Sequence, residues 1–113
     1  MMKNIILSTA LLTASALFSV GSFAASHYCQ PSNVFAFTNR VHVKCSNPAG
    51  KFRYFAVSTK NKTQADQFLK LATSAFMSDK RFYVRYDTND KSGNSWGCKS
   101  HDCRRAYYFG IVN

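Results

Sequence analysis

Four cysteines, Cys29, Cys45, Cys98 and Cys103, constrain this chain more than any other feature, because all of them follow a stretch shaped like a removable secretory leader. An even cysteine count in a short exported chain reads as a disulfide framework. The leader has three parts. Lys3 supplies a positive start, residues 5–18 supply an apolar run broken by Ser and Thr, and Ser22-Phe23-Ala24 supplies small residues at a cleavage site. Residues 1–24 are therefore expected to be a cleaved signal peptide, and residues 25–113 a single domain in the periplasm or outside the cell. No later segment approaches the ~18 apolar residues of a membrane helix, so no transmembrane segment is expected after cleavage.

Cleavage removes Lys3 and leaves fourteen basic residues against five acids, a formal charge of +9. All five acids are Asp. A chain of this size buries only about 60–65% of its unfolded surface, which leaves the core marginal. Ten Phe, six Tyr and one Trp enlarge that core, since each ring buries about 150–250 Å². A disulfide closing a ~15-residue loop adds about 3 kcal/mol.

The pattern along the chain is mainly β. Val41, Val43 and Cys45 alternate with Arg40, His42 and Lys44, as a half-buried strand does, with the second set facing solvent. Residues 34–37 read as an earlier strand or the start of this one, 47–50 as a turn, and 52–59 as the returning half of a hairpin. After Asn61 the period changes. Ala65, Phe68, Leu69, Ala72, Ala75 and Phe76 share one helical face, which predicts a helix from Thr63 to Ser78 with Thr63 as N-cap and Asp66 close to a capping-box position. Residues 81–87 alternate again, with Phe82, Val84 and Tyr86 on one side. A polar loop over 87–95, the close cysteine pair and a last strand over 104–112 follow. The expected fold is α+β and mainly β: a small OB-like antiparallel barrel or twisted sheet with one covering helix and two disulfides.

The most local of the three connectivities pairs Cys29 with Cys45 and Cys98 with Cys103. The first bond would pin an N-terminal arm, and the second would cinch residues 99–102. A zinc site from Cys98, Cys103 and His101 or His42 would need paired cysteine knuckles, and only one pair here has that spacing. No metal and no cofactor is therefore expected. No redox C-x-x-C is present either.

Basic charge suits attraction to anionic surfaces. Lys and Arg are spread along the chain, which disfavours nucleic acid as the partner, although Arg81, Tyr83 and Arg85, with Arg104, Arg105, Tyr107 and Tyr108, could form a basic stacking surface. A small basic hydrolase of nuclease type would have to rely on His42 and His101, since His27 lies in a mobile stretch beside the new N-terminus. The chain carries no G-x-S-x-G, H-E-x-x-H or phosphate-binding loop. The reading favours a non-enzymatic binding module over an enzyme. Candidate ligand residues flank the polar loop: Tyr86, Asp87, Asn94, Trp96 and Arg104. A Trp beside Asn and Asp suits a sugar, with the ring stacking on it and the polar groups holding hydroxyls. The competing role for Trp96 is packing over the Cys98–Cys103 bridge.

Residues 82–87 (Phe-Tyr-Val-Arg-Tyr-Asp), the segment Tyr86-Asp-Thr-Asn-Asp-Lys-Ser-Gly93, Gly97-Cys98 and Asp102-Cys-Arg104 together resemble small exported bacterial proteins. Their element order is similar to that of the glycan-binding B subunits of subtilase-cytotoxin and pertussis-like toxins. That resemblance implies an OB fold with two disulfides, assembly into a homo-oligomer, and partners that are glycans or anionic cell-surface molecules. It implies an aromatic near the sugar on the strand that ends at Tyr86-Asp87.

Overall fold

The computed structural model describes residues 24–113. Apart from Ala24, the expected leader lies outside the described residues. Six strands and one α-helix follow in the order β1 (Ala24–Cys29), β2 (Pro31–Ala36), β3 (Arg40–Ala49), β4 (Phe52–Ser58), α1 (Lys62–Met77), β5 (Arg81–Asp87) and β6 (Cys103–Val112), with a 3₁₀ turn at Ser92–Trp96 before β6. They form one sheet in the order β1-β5-β6-β4-β3-β2. The described residues are thus mainly β with one covering helix. Of the two forms expected from sequence, the open sheet is the one found, since the ladder does not close into a barrel. The antiparallel pattern needs one correction: the sheet is mixed, because β6 returns parallel to β4 after the α1 crossover.

The two edge strands are consecutive in the chain, separated only by Gln30. Pro31 explains the break. It has no N–H to give, so it begins a new strand rather than continuing the old one. Residues before it pair with β5 and residues after it pair with β3. A bent first segment shared between the two halves of the sheet, with the helix between β4 and β5, preserves the OB-like order. Side chains bridge the corner that the ladder leaves open. Asn47 accepts from the Gln30 N–H and donates to the Tyr28 carbonyl, both at 2.7 Å, and the Ser46 N–H donates to the Gln30 carbonyl at 2.9 Å.

Both disulfides form as the local pairing predicted, Cys29–Cys45 and Cys98–Cys103. The first pins the N-terminal segment to β3, as expected, and that segment is itself a strand. Cys29 ends a paired strand, and both cysteines of this bond lie in the main core. His27 is likewise fixed rather than mobile. It sits in β1, where its Nε2 meets the Asn47 carbonyl and its ring lies 6.0 Å from Phe55.

The alternation read in the sequence puts Val41, Val43, Phe82, Val84 and Tyr86 inside with Phe55. α1 covers this core with Ala65, Phe68, Ala72 and Ala75. Small alanines let it sit close, so that Phe68 reaches Phe82 and Phe109 at 5.2 and 5.0 Å. Phe76, expected on that face, is 44% exposed at the helix end. The N-cap is Asn61 rather than Thr63. Its side chain accepts from the Gln64 N–H at 3.1 Å, so the helix starts one residue early and Asp66 has no capping part. The helix ends at Met77, and Asp79 takes the left-handed conformation just beyond it. β3 also runs further than expected, to Ala49. Its register shifts between Lys44 and Ala49 to accommodate Pro48, and the turn falls at Gly50-Lys51.

Candidate functional site

The stapled loop between β5 and β6 folds back over the outer face of β4. Ala56, Cys98 and Cys103 form a second small core beneath it, with Tyr54 and Trp96 packed against them. Trp96 therefore does pack over the bridge. Arg104 holds the loop from inside. It is 3% exposed, and its guanidinium donates to the carbonyls of Thr88, Ser100 and Cys103 at 2.7–2.8 Å and lies 4.3 Å from the Phe52 ring. Carbonyl dipoles and the ring carry the buried charge that a carboxylate would otherwise have to meet. Asn94 closes the loop by accepting from the Ser100 N–H at 2.7 Å. Asp90 accepts from Ser92 N–H and Arg105 Nε, each at 2.9 Å. Burial works against its ionisation, but those donors outweigh it and hold the carboxyl below its usual range.

The five residues singled out from sequence thus have different fates. Trp96 and Asn94 sit together on the 3₁₀ turn. Asp87, at the end of β5, caps the next turn through Asn89 N–H at 2.9 Å and lines a cleft with Asp90 and Arg105. Tyr86 and Arg104 are buried. Tyr86 is 5% exposed, packed 4.9 Å from Phe55 and 5.8 Å from Phe52, and burial pushes its phenol pKa up against the opposing pull of Arg104. Neither of these two offers a surface to a ligand.

What the loop borders is a face that sequence reasoning did not assemble. Cross-strand pairing sets Phe35 opposite His42 on the outer side of β2 and β3. From there the rings run on in a row whose first three members, Phe37, Phe35 and His42, all touch one another, Phe37 meeting His42 edge-on at 5.2 Å. Phe37 stacks on Phe35 at 6.1 Å, Phe35 meets His42 edge-on at 4.9 Å, and His42 lies 5.1 Å from Tyr54, which shares its small core with Trp96. Arg40 lies across the row, with its guanidinium 4.0 Å from the Phe37 ring and its Nε donating to His42 Nδ1 over a long 3.4 Å.

Gly97 makes this arrangement compatible with the loop. It has φ 103°, and a Cβ there would collide with the Arg40 guanidinium. Gly93 plays the same part against Cys98, whose Cβ would lie 2.6 Å from an added methyl.

His42 does not face solvent as the alternation predicts. It is half-buried among rings, and burial first, then the Arg40 charge, lowers its pKa to about 4, with Asp102 pulling weakly the other way. The ring is neutral at pH 7. Accepting at Nδ1 places its proton on Nε2 and leaves one donor for a ligand. A proton-shuttling base needs a pKa near the working pH, so this environment suits a fixed hydrogen-bond donor. His101 is exposed in the loop and lies 3.4 Å from Asp102.

Among the described residues no group of His, Cys and Asp is arranged to hold a metal, and no helix is long and apolar enough to cross a membrane. No protein-family model, curated protein or solved structure matches the chain. The fold and the face define its class: a disulfide-bonded, mainly β domain of OB-like order with an aromatic row on the outer face of its sheet.

Proposed function

We propose that this is an exported, non-enzymatic carbohydrate-binding module whose ligand lies along the row Phe37, Phe35, His42, Tyr54 and Trp96. The row itself carries the reading. The exposed rings of Phe35 and Phe37 offer apolar surface for the C–H face of a sugar ring, while the half-buried His42 imidazole and Tyr54 phenol and the Arg40 guanidinium beside them offer groups for hydroxyls. Phe35 and Phe37 are 37% and 44% exposed, an unusual position for two neighbouring phenylalanines in a small domain. Outer strands of an OB-like sheet bordered by a loop before the last strand are a common place for oligosaccharides. Two disulfides and the leader-like residues 1–24 support work in the periplasm or outside the cell. Glycans or anionic cell-surface molecules are the partners, and repeated copies of the chain would multiply weak single-site affinity.

A glycan-array screen of the oxidised protein tests this. Saturable sugar binding that weakens about tenfold in Tyr54→Ala and in Phe37→Ala supports the module. Undiminished binding in both variants, with the fold intact by circular dichroism, removes the row as the site. Phosphodiester hydrolysis abolished by His42→Ala would replace the module with a hydrolase.

A further inference from the structure

A separate cleft of about 740 Å³ lies between α1 and β6, away from the aromatic row. Its helix side presents Asn61, Gln64, Gln67 and Lys70, and its sheet side presents Tyr107 and Tyr108. The two tyrosines are adjacent in sequence, and a regular strand would send them to opposite faces. A bulge prevents that. Arg85 pairs with Tyr108 while Tyr86 pairs with Ala106, so Tyr107 is the extra residue, and both rings line the cleft at 40% and 57% exposure. Among the described residues no side-chain hydrogen bond engages Gln67, Lys70 or Tyr107. Lys70 is the one charged group in the lining, which has no carboxylate. The first turn of α1 holds no acid, so the positive end of the helix adds to the same field.

We propose that this cleft is a second binding site, for an anionic oligosaccharide, independent of the aromatic row. The volume fits a few sugar rings. Two tyrosines supply stacking faces, the amides supply paired donors and acceptors for hydroxyls, and Lys70 meets one negative substituent. A single cation is too few for a nucleic-acid backbone, whose binding rests on several neutralised phosphates. Chemistry therefore favours a carboxylated or similarly charged sugar over a polynucleotide.

The test uses the full, oxidised protein with trigalacturonate as the charged probe and maltotriose as its neutral counterpart, followed by calorimetry and by amide shifts in NMR. Trigalacturonate should saturate, bind more tightly than maltotriose, and shift amides at residues 61–71 and 107–109. Tyr107→Ala should weaken it about tenfold and Tyr107→Phe should retain it, while Lys70→Ala should erase the preference for the charged sugar. These are exposed positions, and a melting curve checks that each variant folds. No saturation by trigalacturonate, shifts confined to the Phe35–Tyr54 face, or affinity unchanged in both Lys70→Ala and Tyr107→Ala would overturn the second site. Failure of sugar binding at the aromatic row leaves this result unaffected, because the two footprints share no residue.

Discussion

The two disulfides close regions of opposite character. Cys29–Cys45 spans sixteen residues and is buried in the main core, where it joins the strands that meet at the open corner of the sheet. Cys98–Cys103 spans five residues and sits in a satellite core, under a loop that borders the aromatic row. The first supplies what the ladder lacks: with Asn47 and Gln30 it ties edge strand β1 to β3, with which β1 shares no strand pairing. The second changes little in the fold and much in the face, because it fixes where Trp96 and Gly97 stand against Tyr54 and Arg40. One staple lies in the main core, and the other sets the loop beside the aromatic face.

That contrast can be broken by removing each bond in turn. Replacing Cys29 and Cys45 together by Ala should cost about 3 kcal/mol, from loop entropy alone, and should lower the melting temperature of the whole domain. Replacing Cys98 and Cys103 by Ala should cost about 2 kcal/mol by the same reasoning, yet lower sugar affinity about tenfold or more by releasing the loop. Equal losses of affinity from both, measured with the protein fully folded, would erase the distinction.

Gly97→Ala sharpens it further. The added methyl meets the Arg40 guanidinium at a left-handed position, so a cost of about 1–3 kcal/mol in thermal stability is expected. Affinity should fall as well, because Arg40 must leave Phe37 and His42. A chemical-denaturation curve and a binding isotherm on the same sample read the two effects together.

The smallest effect is one of pH. Folding lowers the His42 pKa from its ordinary 6.5 to about 4, so the unfolded chain binds more protons between those values. Stability is therefore complete above about pH 6.5 and falls as pH drops toward 4. With the ring only half-buried, screening reduces the loss to about 1 kcal/mol. His42→Gln should flatten that window in urea titrations run from pH 4 to pH 7.

Much of this is readable in the chain. Strict alternation gives β5 its bounds and the inner set Phe82, Val84 and Tyr86, and the 3.6-residue spacing gives the helix its alanine face. The same alternation argues against Tyr86 as a ligand residue, since a side chain that shares a face with Phe82 and Val84 goes to the core. Arg104 misleads for a different reason. Its charge suggests a surface, and only the fold shows three carbonyls converging on it. The aromatic row is the hardest to see. Phe35, His42 and Tyr54 each lie on a legible strand, but their meeting depends on register across two strand pairs, and no local pattern carries that. The strand break at Pro31 is marked by the proline, although its consequence, a change of pairing partner, is not.

Because Trp96 is the only tryptophan, its fluorescence offers the most direct measurement of the central claim, that a sugar lies along the row beside the stapled loop. The oxidised protein should be titrated with the strongest glycan from the array while Trp96 emission is recorded. A saturable change in emission, with an affinity matching the array and shifted about tenfold by Tyr54→Ala, is the predicted result. Binding that saturates by calorimetry while Trp96 emission stays constant would place the sugar elsewhere and contradict the account.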